Sequence, residues 1–226
     1  MRRKLKVLFI STIIIISIIG IIVVAEKILE KNNTGIKEII DNIAQKEETT
    51  TEDPFLLSDE VIKNYLTPNE YSRPGKELKK VNAIVVHYVG NPGTTAAQNR
   101  SYFENLKDTH ATSASSHYII GMEGEIIQCV PLNEISYASN NRNKDTIAIE
   151  CCHPDETGQF TTATYKSLVK LVAALCRTYD LDPETGIIRH YDVTGKYCPL
   201  YYVNHEDEWY GFKLDVKAEL AAVNTK

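Results

Sequence analysis

The sequence predicts an α/β domain built on a single mixed β-sheet flanked by helices, and three observations predict it. From residue 81 onward, strand-like and helix-like stretches alternate, the order in which helices cover the faces of one sheet. Alternating apolar residues on either side of Gly124 mark a hairpin, which places an antiparallel pair in that sheet. Residues 162–179 then put Leu168, Leu171, Val172, Leu175 and Tyr179 on one helical stripe, with Thr161 or Thr162 as the cap, which is the signature of an amphipathic helix lying on a core.

Before this domain, residues 7–25 carry no charge and follow Arg2, Arg3, Lys4 and Lys6. That length as a helix crosses the hydrocarbon core of a bilayer, and the basic flank expects the N-terminus in the cytoplasm and the remainder outside. The stretch is therefore expected to be a transmembrane anchor of a single-pass protein of the cell membrane. Val23 and Ala25 offer a small-residue cleavage signal whose use would release the protein. Residues 26–57 read as a stalk: Ile36, Ile39, Ile40 and Ile43 have helical spacing, and the run from Glu47 to Asp53 has little to bury. The expected organisation is an anchor or signal at 1–25, a linker at 26–57 and the domain at 58–226.

Within the domain, Ser58 and Asp59 are placed to cap a helix carrying Val61, Ile62, Tyr65 and Leu66, ended by Pro68 and Pro74-Gly75. Val81 to Val89 form the first strong strand, with Ala83, Val85 and His87 on one face and a turn, Gly90 to Gly93, after it. Residues 94–107 are expected to be helical around Tyr102, Phe103 and Leu106, and the hairpin follows over His117 to Val130. Pro131 to Ser139 connect to Asn140. In the next strand, Thr146 to Cys152, a carboxylate shares a face with Ala148 and Cys152: Glu150. Burying it without a partner is costly, so it is paired, protonated or open to a cleft or solvent. Asp182-Pro183 ends the helix after it, and Ile187-Ile188 lead into the stretch His190 to Cys198.

Composition narrows the partners. The 226 residues carry a formal net charge of -5, with no Lys/Arg cluster outside the first six residues, so a nucleic-acid partner is excluded. The five cysteines are odd in number and irregularly spaced, which does not suggest a disulfide framework. Four are expected to act as small buried hydrophobes, with a bridge between Cys176 and Cys151 or Cys152 left open. His110, His153 and His205 sit among polar residues and are expected at the surface.

The chemistry concentrates at His190-Tyr-Asp-Val-Thr-Gly-Lys-Tyr-Cys198. Gly195 lets this loop fold back so that an imidazole and a thiolate reach one metal ion, and His87 at the end of its strand is a third donor. Three protein ligands leave a coordination position open, as in hydrolytic rather than structural zinc sites. Glu150 adds an acid/base and Lys196 a cation, a set suited to metal-assisted hydrolysis.

These residues also carry a resemblance. Val86-His87-Tyr88, Ser116-His117-Tyr118-Ile119-Ile120, Ile147-Ala148-Ile149-Glu150 and the spacing His190, Lys196, Cys198 resemble the type 2 N-acetylmuramoyl-L-alanine amidases, in order over about residues 70–205. The resemblance implies the fold shared with phage amidases and animal peptidoglycan recognition proteins. It further implies Zn2+ held by His87, His190 and Cys198, catalysis by Glu150 and Lys196, and a peptidoglycan substrate cut between N-acetylmuramic acid and L-alanine. Some members have a Tyr where this chain has Ser116, so the base role goes to Glu150 and His117 is left in or behind the cleft. Two alternatives stay open: a non-catalytic, membrane-tethered peptidoglycan receptor, and a zinc peptidase acting on another cell-wall amide.

Overall fold

The computed structural model describes residues 52–223, and they form one body that begins at Glu52. In chain order the elements are α1 (Pro54–Leu57), β1 (Val61–Lys63), β2 (Ala83–Tyr88), α2 (Ala96–Thr109), β3 (Tyr118–Ile120), β4 (Ile126–Gln128), a 3-10 turn (Asn140–Arg142), β5 (Thr146–Cys151), α3 (Thr162–Tyr179), α4 (Pro183–Gly186), β6 (Ile187–Arg189), α5 (His190–Thr194), α6 (Leu200–Asn204) and α7 (Glu206–Val223). The six strands make one mixed sheet in the order β1-β4-β3-β5-β2-β6. Only the hairpin pair β3 and β4 is antiparallel.

Strand alternation divides the core in two. Ile84, Val86, Ile147 and Ile149 point to the face covered by α3 and α7, where Leu168, Leu171, Leu175, Trp209, Phe212 and Val216 meet them. Ile119, Val89 and Cys152 point to the other face, where Phe103 and Leu106 of α2 close a smaller cluster. Each fully buried side chain of this size contributes roughly 1.5–3 kcal/mol. α2 lies over β3 and β4, which leaves the ends of β2 and β5 to be roofed by loops.

Several expectations meet the coordinates closely. α3 starts after a Thr161 cap, whose hydroxyl accepts from Thr164 N, and ends at the left-handed Asp180. α2, expected over 94–107, runs two residues later and opens with a capping box between Thr95 and Gln98. Others are corrected. Val61–Lys63 is an edge strand rather than part of a helix, and the Ser58 hydroxyl instead donates to Phe55 O at the end of α1. Tyr102 is 51% exposed, because the buried stripe of α2 runs through Ala96, Asn99, Phe103 and Leu106. Residues 53–57, read as linker, pack on this body: Leu56 joins the large core and Asp53 pairs with Arg177.

The membrane helix is also corrected. Among the described residues no helix is long and apolar enough to cross a membrane. The two longest, α3 and α7 at 18 residues each, are amphipathic, with Lys166 and Lys170 or Glu208 and Lys217 between their apolar positions. The stretch 7–25 and the linker up to residue 51 lie outside the described residues. The fold is thus a mixed sheet flanked by helices with no spanning helix in it, and the single-pass membrane location is withdrawn with that helix.

Candidate metal and acid/base site

β2 and β5 run parallel with His87 directly opposite Glu150, so the alternation that buries Val86 and Ile149 on one face turns both polar side chains to the other. Glu150 Oε1 lies 3.9 Å from His87 Nδ1, and the carboxyl side chain is only 18% exposed. No described group hydrogen-bonds Glu150 Oε2. Burial pushes the Glu150 carboxyl up to about 8, against the lowering field of the Lys196 ammonium.

The stretch from 190 to 198 folds back as its glycine suggested, but through a single helical turn. α5 ends at Gly195, whose φ of 77° is left-handed, a conformation that glycine adopts without Cβ strain. Gly195 N donates to Tyr191 O, and Tyr191 N donates to Cys198 O at 2.9 Å, which closes the loop. Cys198 therefore returns beside His190. Cys198 Sγ lies 3.8 Å from His87 Nδ1, and the His87 and His190 rings are 4.6 Å apart between centroids.

One donor atom from each of His87, His190 and Cys198 lies within 4.8 Å of the others. Two imidazoles and one thiol at that separation could hold a metal ion between them. Burial holds the His87 imidazole well below the usual histidine range, with His190 and Lys196 adding to it, so the ring is neutral and able to donate a lone pair. The Cys198 thiol is pushed up to about 12, by burial first and then by Glu150, opposed by a backbone hydrogen bond from Tyr88 and by Lys196. A nearby cation is what such a buried sulfur requires to become a thiolate.

All five residues expected at the site line one cleft of about 180 Å³, with Tyr88, Phe103 and Tyr137 on its walls. His117 is not among them. It is fully buried, and its Nδ1 accepts from Ala148 N while Nε2 donates to the Glu134 carbonyl. Its role is to join β5 to the loop before it. His153, expected at the surface, is 1% exposed and bridges the carbonyls of Val89 and Asp155. All five cysteines are buried and free, so the bridge to Cys176 is not made.

The coordinates add residues that sequence reading passed over. Arg189, immediately before His190, is buried and paired with Asp192 and Glu206 while donating to Tyr202 O. It ties the start of α5 to α6 and α7. Ser139 and Asn140 each contact one of the two histidines, His87 and His190 respectively. An arginine next to a candidate ligand is a visible signal, whereas polar residues in a loop are indistinguishable from surface ones.

The family Amidase_2, described as N-acetylmuramoyl-L-alanine amidase, matches residues 77–200. The N-acetylmuramoyl-L-alanine amidase BlyA of Bacillus subtilis (strain 168) is 33% identical over 178 residues, covering 70% of this chain and 47% of the relative. CwlL of Bacillus licheniformis, an N-acetylmuramoyl-L-alanine amidase, is 33% identical over 173 residues, covering 71% and 47%. The chain thus spans about half the length of the curated relatives it matches. Among solved structures, a mutant endolysin from Bacillus subtilis superposes with a TM-score of 0.59 at 25% identity, covering 69% of this chain and 97% of that one.

Proposed function

The chain belongs to the N-acetylmuramoyl-L-alanine amidase family Amidase_2, and from that premise we propose that it is a zinc-dependent peptidoglycan hydrolase that cleaves the amide between N-acetylmuramic acid and L-alanine of the stem peptide. The observation that carries the reading is the convergence of His87, His190 and Cys198 within 4.8 Å, with the buried Glu150 carboxyl at 3.9 Å from His87. When bound by His87, His190 and Cys198, zinc supplies Lewis-acid chemistry, polarising the carbonyl and making water a stronger acid.

The chain's own residues do the rest. The Glu150 carboxylate takes a proton from the attacking water as its oxygen bonds to the carbonyl carbon, and returns that proton to the amine as the carbon–nitrogen bond breaks. Burial raises the proton affinity of Glu150, which suits a group that must both accept and donate near neutral pH. The Lys196 ammonium, in the same cleft, stabilises the negative charge that develops on the carbonyl oxygen. A cleft of about 180 Å³ is smaller than pockets that enclose a drug-sized ligand, roughly 300–1,000 Å³. It suits a polymer that inserts one bond and leaves glycan and peptide along the surface.

The test is purified peptidoglycan incubated with the protein before and after chelation and with zinc restored. The proposal expects solubilisation only in the zinc-loaded state. Binding of zinc and of muropeptides with no material released would replace the enzyme by a receptor.

A further inference from the structure

We propose that Ser139 and Asn140 are positioning residues that hold both histidines with Nδ1 turned to the metal position. The inference rests on reading His87, His190 and Cys198 as a zinc set. His87 Nε2 lies 3.2 Å from Ser139 Oγ, and His190 Nε2 lies 3.2 Å from Asn140 Oδ1. An amide oxygen only accepts, so the ring proton of His190 sits on Nε2 and the lone pair on Nδ1 is free for a cation. In His87 the same division holds, because Nδ1 is the atom that faces Cys198 Sγ at 3.8 Å and Nε2 is the one that meets the serine.

What distinguishes this pair is that the two residues are consecutive. His87 comes from β2 and His190 from the first position of α5, and one short loop meets both rings. The loop is itself fixed. Asn143 Oδ1 accepts from the amides of Ala138 and Ser139 at 3.1 and 2.6 Å, Asn143 N donates to Asn140 O, and Ser139 is fully buried. Asn140 adopts a left-handed φ of 53°, a conformation asparagine tolerates better than most residues, and its side chain thereby reaches His190. Partners that fix the outer nitrogen of a ligating histidine set its tautomer and orientation, and losing one costs 10–100-fold in metal affinity.

The test is zinc affinity of the full chain, measured by competition with a chelating dye, for the wild type, S139A, N140G and N140D. Glycine removes the amide without straining the left-handed backbone, and aspartate offers His190 a stronger acceptor. The expected result is zinc binding weaker by about 10–100-fold in S139A and in N140G, with N140D at least as tight as the wild type. Thermal unfolding of the metal-free proteins separates positioning from mere support of the loop. If N140G and S139A bind zinc as the wild type does, whatever their stability, the inference is overturned while the zinc site stands. If S139A does not fold, the contrast of N140G with N140D decides alone. A wild type that takes up no zinc overturns the site and this inference together.

Discussion

Glu150 stands beside His87 on the adjacent parallel strand, with one carboxylate oxygen 3.9 Å from His87 Nδ1 and the other without a hydrogen-bond partner among the described residues. A buried carboxylate oxygen without a partner costs stability, and the strand register places it there. Replacing Glu150 with Gln keeps the shape and removes the proposed proton acceptor. The expected outcome is a kcat lower by about 10²–10⁴-fold with zinc stoichiometry unchanged. A variant that has lost its zinc would make Glu150 a structural partner of the metal position rather than a base.

Lys196 follows the turn at Gly195 and shares the cleft with Glu150. Lys196→Ala removes the cation proposed to act on charge present only in the transition state. A fall of roughly a hundredfold or more in kcat with little change in KM is expected. Steady-state kinetics on a soluble muropeptide check it, and a raised KM at unchanged kcat would assign Lys196 to substrate binding instead.

Much of this site was legible in the sequence because its residue types are out of place there. A carboxylate and a histidine on apolar strands, and a His, Lys and Cys around one glycine, stand out against their neighbours. The large helix α3 was legible to the residue, because a Thr cap and a continuous apolar stripe agree. β1 was not: Val61, Ile62, Tyr65 and Leu66 fit helical spacing, and a three-residue edge strand is too short for alternation to oppose it. α7 went unread although Trp209, Phe212 and Val216 repeat at three and four residues, a period that points to a helix. His153 and the pair Ser139 and Asn140 could not be separated from surface polar residues, since burial and partners come from distant strands.

His117 links folding stability to pH. Burial lowers its imidazole to about 4, from the ordinary histidine value of 6.5. Between those values the unfolded chain binds a proton that the folded chain refuses, so this contribution is full above pH 6.5 and is lost as pH falls towards 4. The loss amounts to about 3 kcal/mol. Urea denaturation at neutral pH and at about pH 4.5 is expected to show a shallower acid dependence in His117→Gln than in the wild type. Equal dependence would remove His117 from the account of acid sensitivity.

Phe212 of α7 is fully buried, with ring centroids 5.3 Å from Trp209 and 6.4 Å from Tyr202. Phe212→Ala leaves a cavity among α7, α3 and α6, beside Tyr165 and Tyr202, and is expected to cost about 3–5 kcal/mol, read from the denaturation midpoint. A loss under about 1 kcal/mol would mean that α7 packs less firmly than the core contacts indicate.

The most direct test of the central claim identifies the bond that is cut. A defined muropeptide, N-acetylmuramic acid carrying an L-alanine-first stem peptide, is incubated with the zinc-loaded protein and with Glu150→Gln, and the products are weighed by mass spectrometry. The account predicts two products from the wild type, the intact saccharide with its lactyl carboxyl and the whole stem peptide with a free L-alanine amino group, and no more than a trace from the variant. Cleavage within the peptide, cleavage of a glycosidic bond, or equal turnover by Glu150→Gln would contradict it.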